Sequence, residues 1–149
     1  MYITLKAIHN ILRWIVLLGG LWAVIITLKD LFSQGGFKRI HQTAGLIFTS
    51  SLNLQFLLGL VLYFVSPLVM SGWQNPSEAM ANSQTRFFMV EHWLGMLVAI
   101  AIAQIGYSRA KRLEADRAKL MWAGISYVVA LLIILAAIPW QWSALLPRF

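Results

Sequence analysis

Histidines are the residues of this sequence best suited to chemistry, and the chain has three of them. His9 lies at the start of the first long apolar stretch and His92 at the start of the third. Because successive membrane-spanning helices run antiparallel, these two starts lie at the same face of the membrane, and the two imidazoles can lie at similar depth. A b-type haem needs two neutral imidazoles on opposite sides of its iron, supplied by separate helices. The pattern predicts a haem site with His9 and His92 as metal ligands.

Both histidines also have a simpler interpretation. A histidine in the first turns of a membrane helix can extend toward the lipid headgroups, and two such positions can arise by chance. This alternative requires no cofactor. The sequence leaves both interpretations open.

Two cations flank His9 and extend the predicted haem site. Lys6 lies about one turn before His9 and Arg13 one turn after it on the same helix face. Either side chain could pair with a haem propionate. Glu91 is a competing partner for Arg13. We therefore include Lys6 and Arg13 among the predicted cofactor-binding residues.

The remaining polar residues suggest fewer roles. His41 lies at the opposite membrane face, where no second histidine is available, so we expect it to contact headgroups. Polar residues within the second and third apolar stretches are expected to face the bundle interior and form hydrogen bonds between helices, although a quinone headgroup or a proton route could use them instead. These residues are Ser50, Ser51, Asn53, Gln55 and Gln104.

Small residues and missing residue types narrow the possibilities further. Glycines in the apolar stretches would allow helices to approach closely or would admit a flat macrocycle. The absence of cysteine excludes disulfides, thiolate metal sites and iron–sulfur clusters. The chain has five acidic residues with no visible acid–base pair among them, so hydrolase chemistry is not expected. The glycines are Gly19, Gly20, Gly59, Gly95, Gly106 and Gly124.

The elements that must position these residues are membrane helices. The chain has 149 residues, of which 60% are apolar and 11% charged, more apolar surface than a water-soluble domain of this size could bury. Four stretches are long enough to cross a bilayer, and only a helix satisfies its own backbone in lipid. We predict an all-α, single-domain integral membrane four-helix bundle. Its spans are residues 5–28, 43–65, 87–108 and 120–142.

Charge predicts the orientation. The connections after the first and third spans carry eight of the twelve Lys and Arg residues, and such loops face the cytoplasm. Both termini are therefore expected outside, although Lys6 and Arg13 argue against this. The basic residues lie in short loops rather than on one face, so nucleic acid is not an expected partner. Aromatic residues near the outer boundary are expected to be interfacial anchors: Trp14, Tyr63, Phe64, Phe87, Phe88, Trp93, Trp140 and Trp142.

Three segments carry a resemblance to a known group. At HNILRW, LQFLLGLVLYFVSP and RFFMVEHWLGM, the chain resembles small four-helix bacterial membrane proteins labelled cytochrome b-like. The similarity covers most of the chain. The resemblance implies a b-type haem protein of the bacterial inner membrane that passes electrons, loosely like the cytochrome b561 group, with His9 and His92 as the matching histidines. That group typically carries two haems and four histidine ligands, whereas this chain has three histidines, which favours one haem.

The preferred hypothesis is a multi-pass membrane cytochrome, an electron carrier rather than a stand-alone enzyme. In it, one haem b is held by His9 and His92, and electrons pass between quinol and a partner. The lipid bilayer surrounds the chain, with other membrane subunits or further copies of the chain as expected partners. The alternative is a cofactor-free accessory or assembly subunit of a larger respiratory complex. A transporter is disfavoured because no acidic residue lies deep in a span.

Overall fold

The computed structural model describes residues 1–142, and within that range the chain is helical with no β-strand. Four of its helices are long and apolar enough to cross a membrane. Two short helices join the second and third of these. The helices are α1 (Tyr2–Phe32), α2 (Arg39–Val65), α3 (Pro67–Gln74), α4 (Pro76–Ala81), α5 (Ser83–Arg112) and α6 (Asp116–Ala137).

The four long helices form a ring in which each one packs mainly against two neighbours. Helix α1 packs against α2 and α6, and α5 packs against the same two helices. Consequently α1 and α5 occupy diagonal positions and face each other across the centre of the bundle. The expectation of an all-helical chain with four helices long and apolar enough to cross a membrane is confirmed for residues 1–142.

The two ends of the bundle differ. At one end, here called the basic end, short connections over residues 33–38 and 113–115 join α1 to α2 and α5 to α6. At the other end, here called the cavity end, α3 and α4 lie between α2 and α5. Both short helices begin with a proline, which fits the first turn because its missing N–H would have no partner there.

Most of the long helices extend past the predicted spans. Helix α1 begins at Tyr2 and ends at Phe32, and α5 extends to Arg112, because polar and charged residues continue the helix beyond the apolar stretch. The last span differs in the other direction. Helix α6 ends at Ala137 rather than at residue 142, since Ile138 is extended before Pro139, as residues preceding proline prefer to be. Trp140 therefore lies in a turn after the helix.

The half of the bundle nearest the basic end is closely packed around glycines. A Cβ at Gly20 would clash with the Phe48 ring, and one at Gly45 would clash with Tyr127 and Tyr107. The Phe48 and Tyr127 rings meet edge to face, with centroids 5.7 Å apart. The expectation that glycines allow close helix approach holds for these positions.

The predicted polar contacts between helices are only partly present. Gln55 is buried and crosses to α1, as expected. Ser50 and Gln104 are exposed on the outside of the bundle, so for these two the prediction is wrong. Ser51 donates a hydrogen bond to the carbonyl of Phe48 within its own helix. Side chains that are exposed, or that donate to a carbonyl of their own helix, do not link one helix to another.

The contact between α5 and α6 supplies a test of the packing. A Cβ at Gly106 would overlap the Ser126 side chain and lie 3.2 Å from the Trp122 carbonyl oxygen. We expect Gly106→Val to destabilise the protein by about 1–3 kcal/mol, because the backbone of α5 must move away from α6. Thermal unfolding followed by circular dichroism in detergent measures this. Ala101→Val, on the exposed face of the same helix, is the control. Equal melting temperatures for the two variants would contradict close packing of α5 against α6 at Gly106.

Candidate functional site

A cavity of about 350 Å³ lies at the cavity end of the bundle, within the size range of small-molecule sites. All four residues proposed from the sequence line it: Lys6, His9 and Arg13 from α1, and His92 from α5. Because α1 and α5 are diagonal, the two histidines approach each other across the bundle centre rather than side by side. Their ring centroids are 6.4 Å apart and their ring planes are inclined by 69°.

The hydrogen bond of His92 defines which of its nitrogens is free. Its Nδ1 lies 2.7 Å from the carbonyl oxygen of Ala137, an atom that can only accept. Nδ1 therefore carries the proton, and Nε2 keeps the lone pair that a metal ion requires. Ala137 is the last residue of α6, so its carbonyl has no partner within the helix and is available.

His9 is held differently, from α2. Gln55 donates a hydrogen bond from Nε2 to the backbone oxygen of His9, at 2.9 Å. The His9 ring lies over Gly59, where a Cβ would be 3.1 Å from the ring carbon Cε1. His9 Nδ1 is buried and has no hydrogen-bond partner of good geometry within residues 1–142, although the ring lies near the backbone of Gln55. The absence of a side chain at Gly59 is what gives the ring its space.

Aromatic side chains surround His92. The rings of Phe87 and Phe88 have centroids 5.8 Å and 6.1 Å from the His92 ring, and both also contact Trp142. Phe88 and Trp142 line the cavity as well. We expected these three residues to be interfacial anchors, but in the structure they form an apolar wall at the site. Phe64 does not join this wall and is 68% exposed on the outside of the bundle.

A π-helical turn over Phe87–Glu91 directly precedes His92. Such turns disturb the regular backbone ladder and occur often at functional sites. Here the carbonyl of Met89 accepts hydrogen bonds from the Tyr63 hydroxyl at 3.2 Å and the Trp93 indole at 2.6 Å. The turn thereby ties α5 to α2 beside the site. Sequence reasoning missed it, because the residues carry no proline or glycine to mark the irregularity.

The cations lie at two depths. Lys6 is exposed near the N-terminus of α1. Arg13 is 7% exposed and lies about two turns deeper, with its guanidinium 5.8 Å from the Trp14 ring centroid. Glu91, the competing partner considered for Arg13, pairs with Arg86 at 2.8 Å on the surface. Both cations therefore lie along the wall of the cavity that holds His9.

The donor set of the site matches a haem better than a bare metal ion. Among the described residues, no group of three or more His, Cys, Asp or Glu side chains could hold a metal ion, whereas a zinc site needs three or four protein ligands. Haem iron needs only axial ligands from the protein. An imidazole nitrogen binds a metal ion at about 2 Å, so two axial imidazoles have ring centres about 6 Å apart, close to the separation seen here. The lone pair on His92 Nε2 and the space that Gly59 leaves for the His9 ring are both compatible with haem ligation.

His41 has a structural role at the basic end. Its side chain is 1% exposed and its Nδ1 accepts a hydrogen bond from the backbone N–H of Lys38, which caps α2. The expectation that His41 reaches the headgroups is therefore wrong. Since Nδ1 accepts a hydrogen bond and so holds its lone pair, the ring proton is on Nε2, which lies 3.3 Å from Asp30 Oδ2. The ring of Phe37 stacks on the imidazole, with centroids 5.3 Å apart.

The contact of His41 with Asp30 predicts unequal effects of two aspartate substitutions. Asp30→Ala removes the carboxylate that lies 3.3 Å from the buried His41 Nε2 and 3.6 Å from Lys38 Nζ, and should destabilise the protein by about 1–3 kcal/mol. Asp116→Ala, at the same end, removes only a pair with Lys119 in which the carboxylate is half exposed, and should cost less than about 1 kcal/mol. Unfolding midpoints in mixed micelles measure both. Similar losses for both variants would show that His41 does not depend on Asp30.

Comparison of the chain with protein-family models, with curated proteins and with solved structures gave no match. The resemblance to cytochrome b-like proteins is therefore a hypothesis that depends on the residues of this chain. A function for the site has to be argued from its geometry, which is that of two facing imidazoles in an apolar cavity within a membrane bundle.

Proposed function

We propose that this chain is a membrane cytochrome that binds one b-type haem between His9 and His92 and transfers electrons. The observation that carries the proposal is the pair of imidazoles from diagonal helices, 6.4 Å apart across the bundle centre, with the lone pair of His92 on Nε2. Lipid-exposed or headgroup-seeking histidines would have no reason to converge. When bound, the haem supplies a centre that accepts and releases one electron.

The chain's own residues would hold that group and control its surroundings. His9 and His92 hold the iron, and Phe88 and Trp142 exclude water from the side of His92. Lys6 and Arg13 offer positive charge for the propionates, Lys6 near the aqueous boundary and Arg13 deeper. The low polarity of the cavity and these charges together tune the reduction potential. Quinol is the proposed electron donor, since it dissolves in the same bilayer.

The orientation and location form part of the same proposal. The basic end carries most of the Lys and Arg residues of the chain, which favours the cytoplasmic side for that end. Both termini and the haem cavity would then face the outside of a bacterial inner membrane. The exposed outer faces of the four helices contact lipid, further copies of the chain or other membrane subunits.

Absorption spectroscopy tests the haem. The chain, purified after expression with haem supplied, should show a Soret band that shifts on dithionite reduction. His9→Ala and His92→Ala should each abolish the low-spin spectrum, because that spectrum requires both imidazoles on the iron. His41→Gln is the matched control, since glutamine at this position preserves the cap of α2 and should leave the spectrum unchanged.

A colourless protein would overturn the cytochrome proposal. If that protein also copurified with larger membrane chains, it would be assigned instead as a cofactor-free accessory subunit. A low-spin spectrum that is unchanged in both the His9 and the His92 variants would show that haem binds elsewhere.

Single cysteines test the orientation, because the chain has none of its own. Ser33→Cys places a thiol at the basic end and Ser77→Cys places one at the cavity end, both at exposed positions. In intact spheroplasts, a membrane-impermeant maleimide should label the cysteine at position 77 at once and the one at position 33 only after lysis. The reverse pattern would invert the orientation while leaving the haem proposal intact.

A further inference from the structure

Gln55 is an unusual residue to find inside a membrane bundle. It is 4% exposed, at the centre of α2, and burying an amide without hydrogen bonds costs several kcal/mol in an apolar medium. Its Nε2 donates to the backbone oxygen of His9, 46 residues away in the chain. The bond joins α2 to the one turn of α1 that carries the proposed ligand. A purely structural link between the two helices could lie anywhere along them.

Gly59 lies one turn after Gln55 on the same face of α2. A Cβ at this position would lie 3.1 Å from His9 Cε1 and 3.8 Å from His9 Nδ1, closer than carbon side chains normally pack. At Gly19, by comparison, the nearest atom would be at 3.4 Å, an ordinary contact. Gln55 therefore holds the backbone of His9 by a hydrogen bond, and Gly59 leaves space for the His9 ring.

Two buried polar atoms beside this contact have no hydrogen-bond partner of good geometry within residues 1–142, although the His9 ring lies near the Gln55 backbone. They are Gln55 Oε1, which can only accept, and His9 Nδ1, which donates when it carries the proton. Both residues line the cavity. Unpaired buried groups of this kind are commonly joined by an ordered water where the site is polar and has room for one.

We propose that Gln55 and Gly59 form a histidine seat that positions His9. The amide nitrogen of Gln55 sets the height of His9 and Gly59 leaves room for the ring against α2. One bridging water accepts a hydrogen bond from the His9 Nδ1–H and donates one to Gln55 Oε1. His9 then carries its proton on Nδ1 and presents Nε2 to the cavity, as His92 does through Ala137. The use of this arrangement to bind iron rests on the proposed haem function. The orientation of the His9 ring is proposed whether or not haem binds.

Histidine tautomers give a readout that is independent of haem. The full chain, labelled with ¹⁵N-histidine and reduced with dithionite in lipid nanodiscs, is examined by ¹⁵N–¹H NMR, with signals assigned from single histidine variants. We expect Nδ1–H signals for His9 and His92. His41 should show Nε2–H instead, because its Nδ1 accepts from Lys38.

The decisive variant is Gln55→Met, which keeps the length of the side chain and removes both polar atoms. It should abolish or shift the Nδ1–H signal of His9 and leave that of His92 unchanged. Gly59→Ala should displace the His9 signal without removing any hydrogen bond. The matched controls are Gln104→Met, at an exposed glutamine, and Gly19→Ala. An unchanged His9 signal in Gln55→Met would overturn the seat.

The absorption spectrum of the same samples separates this proposal from the haem proposal. If wild type binds haem, Gln55→Met should raise its reduction potential relative to Gln104→Met, because an imidazole without a partner at Nδ1 is a weaker electron donor to iron. An unchanged reduction potential in Gln55→Met would show that Gln55 and Gly59 orient the His9 ring without changing its strength as an iron ligand. If wild type is colourless and the tautomer result stands, the haem proposal fails and the histidine seat is retained.

Discussion

The constraint on which this structure depends is that every peptide group inside a bilayer must find a hydrogen bond within the protein. Long helices satisfy it almost everywhere along the four spans. Two exceptions lie together at the cavity end. At the end of α6 the carbonyl of Ala137 is taken by His92, and at the π-helical turn the carbonyl of Met89 is taken by Tyr63 and Trp93. The candidate site is therefore built where the helical ladder is incomplete.

The two halves of the bundle serve different purposes. Near the basic end, glycines bring the helices close, and the aromatic pair Phe48 and Tyr127 fills the interior. Near the cavity end, larger side chains and two intervening short helices leave a cavity of about 350 Å³. The closely packed half near the basic end fixes the positions of α1 and α5. His9 and His92 extend from these two diagonal helices into the cavity. Binding groups placed on packed helices are better oriented than those placed on loops.

The three histidines show how far residue type is a guide to role. His9 and His92 converge in the cavity, while His41 caps a helix and lies beside Asp30. Depth in the membrane could be read from position along each apolar stretch, and it separated the pair from the third residue. The role of His41 could not be read in this way, because its partners come from the end of α1 and from the connection after it. Gln55 and Gln104 show the same limit, since one is buried against α1 and the other is exposed.

The sequence by itself determined the number of membrane helices, their approximate positions and the end of the bundle at which the two histidines lie. These follow from hydropathy and from the alternation of antiparallel helices, which are properties of the chain alone. Only the tertiary structure decided which helices are diagonal, which carbonyl fixes the proton of His92, and that Gln55 and Gly59 lie against His9. Rotation of each helix about its axis and the packing of its neighbours set these contacts, and the composition of a mostly apolar helix records neither.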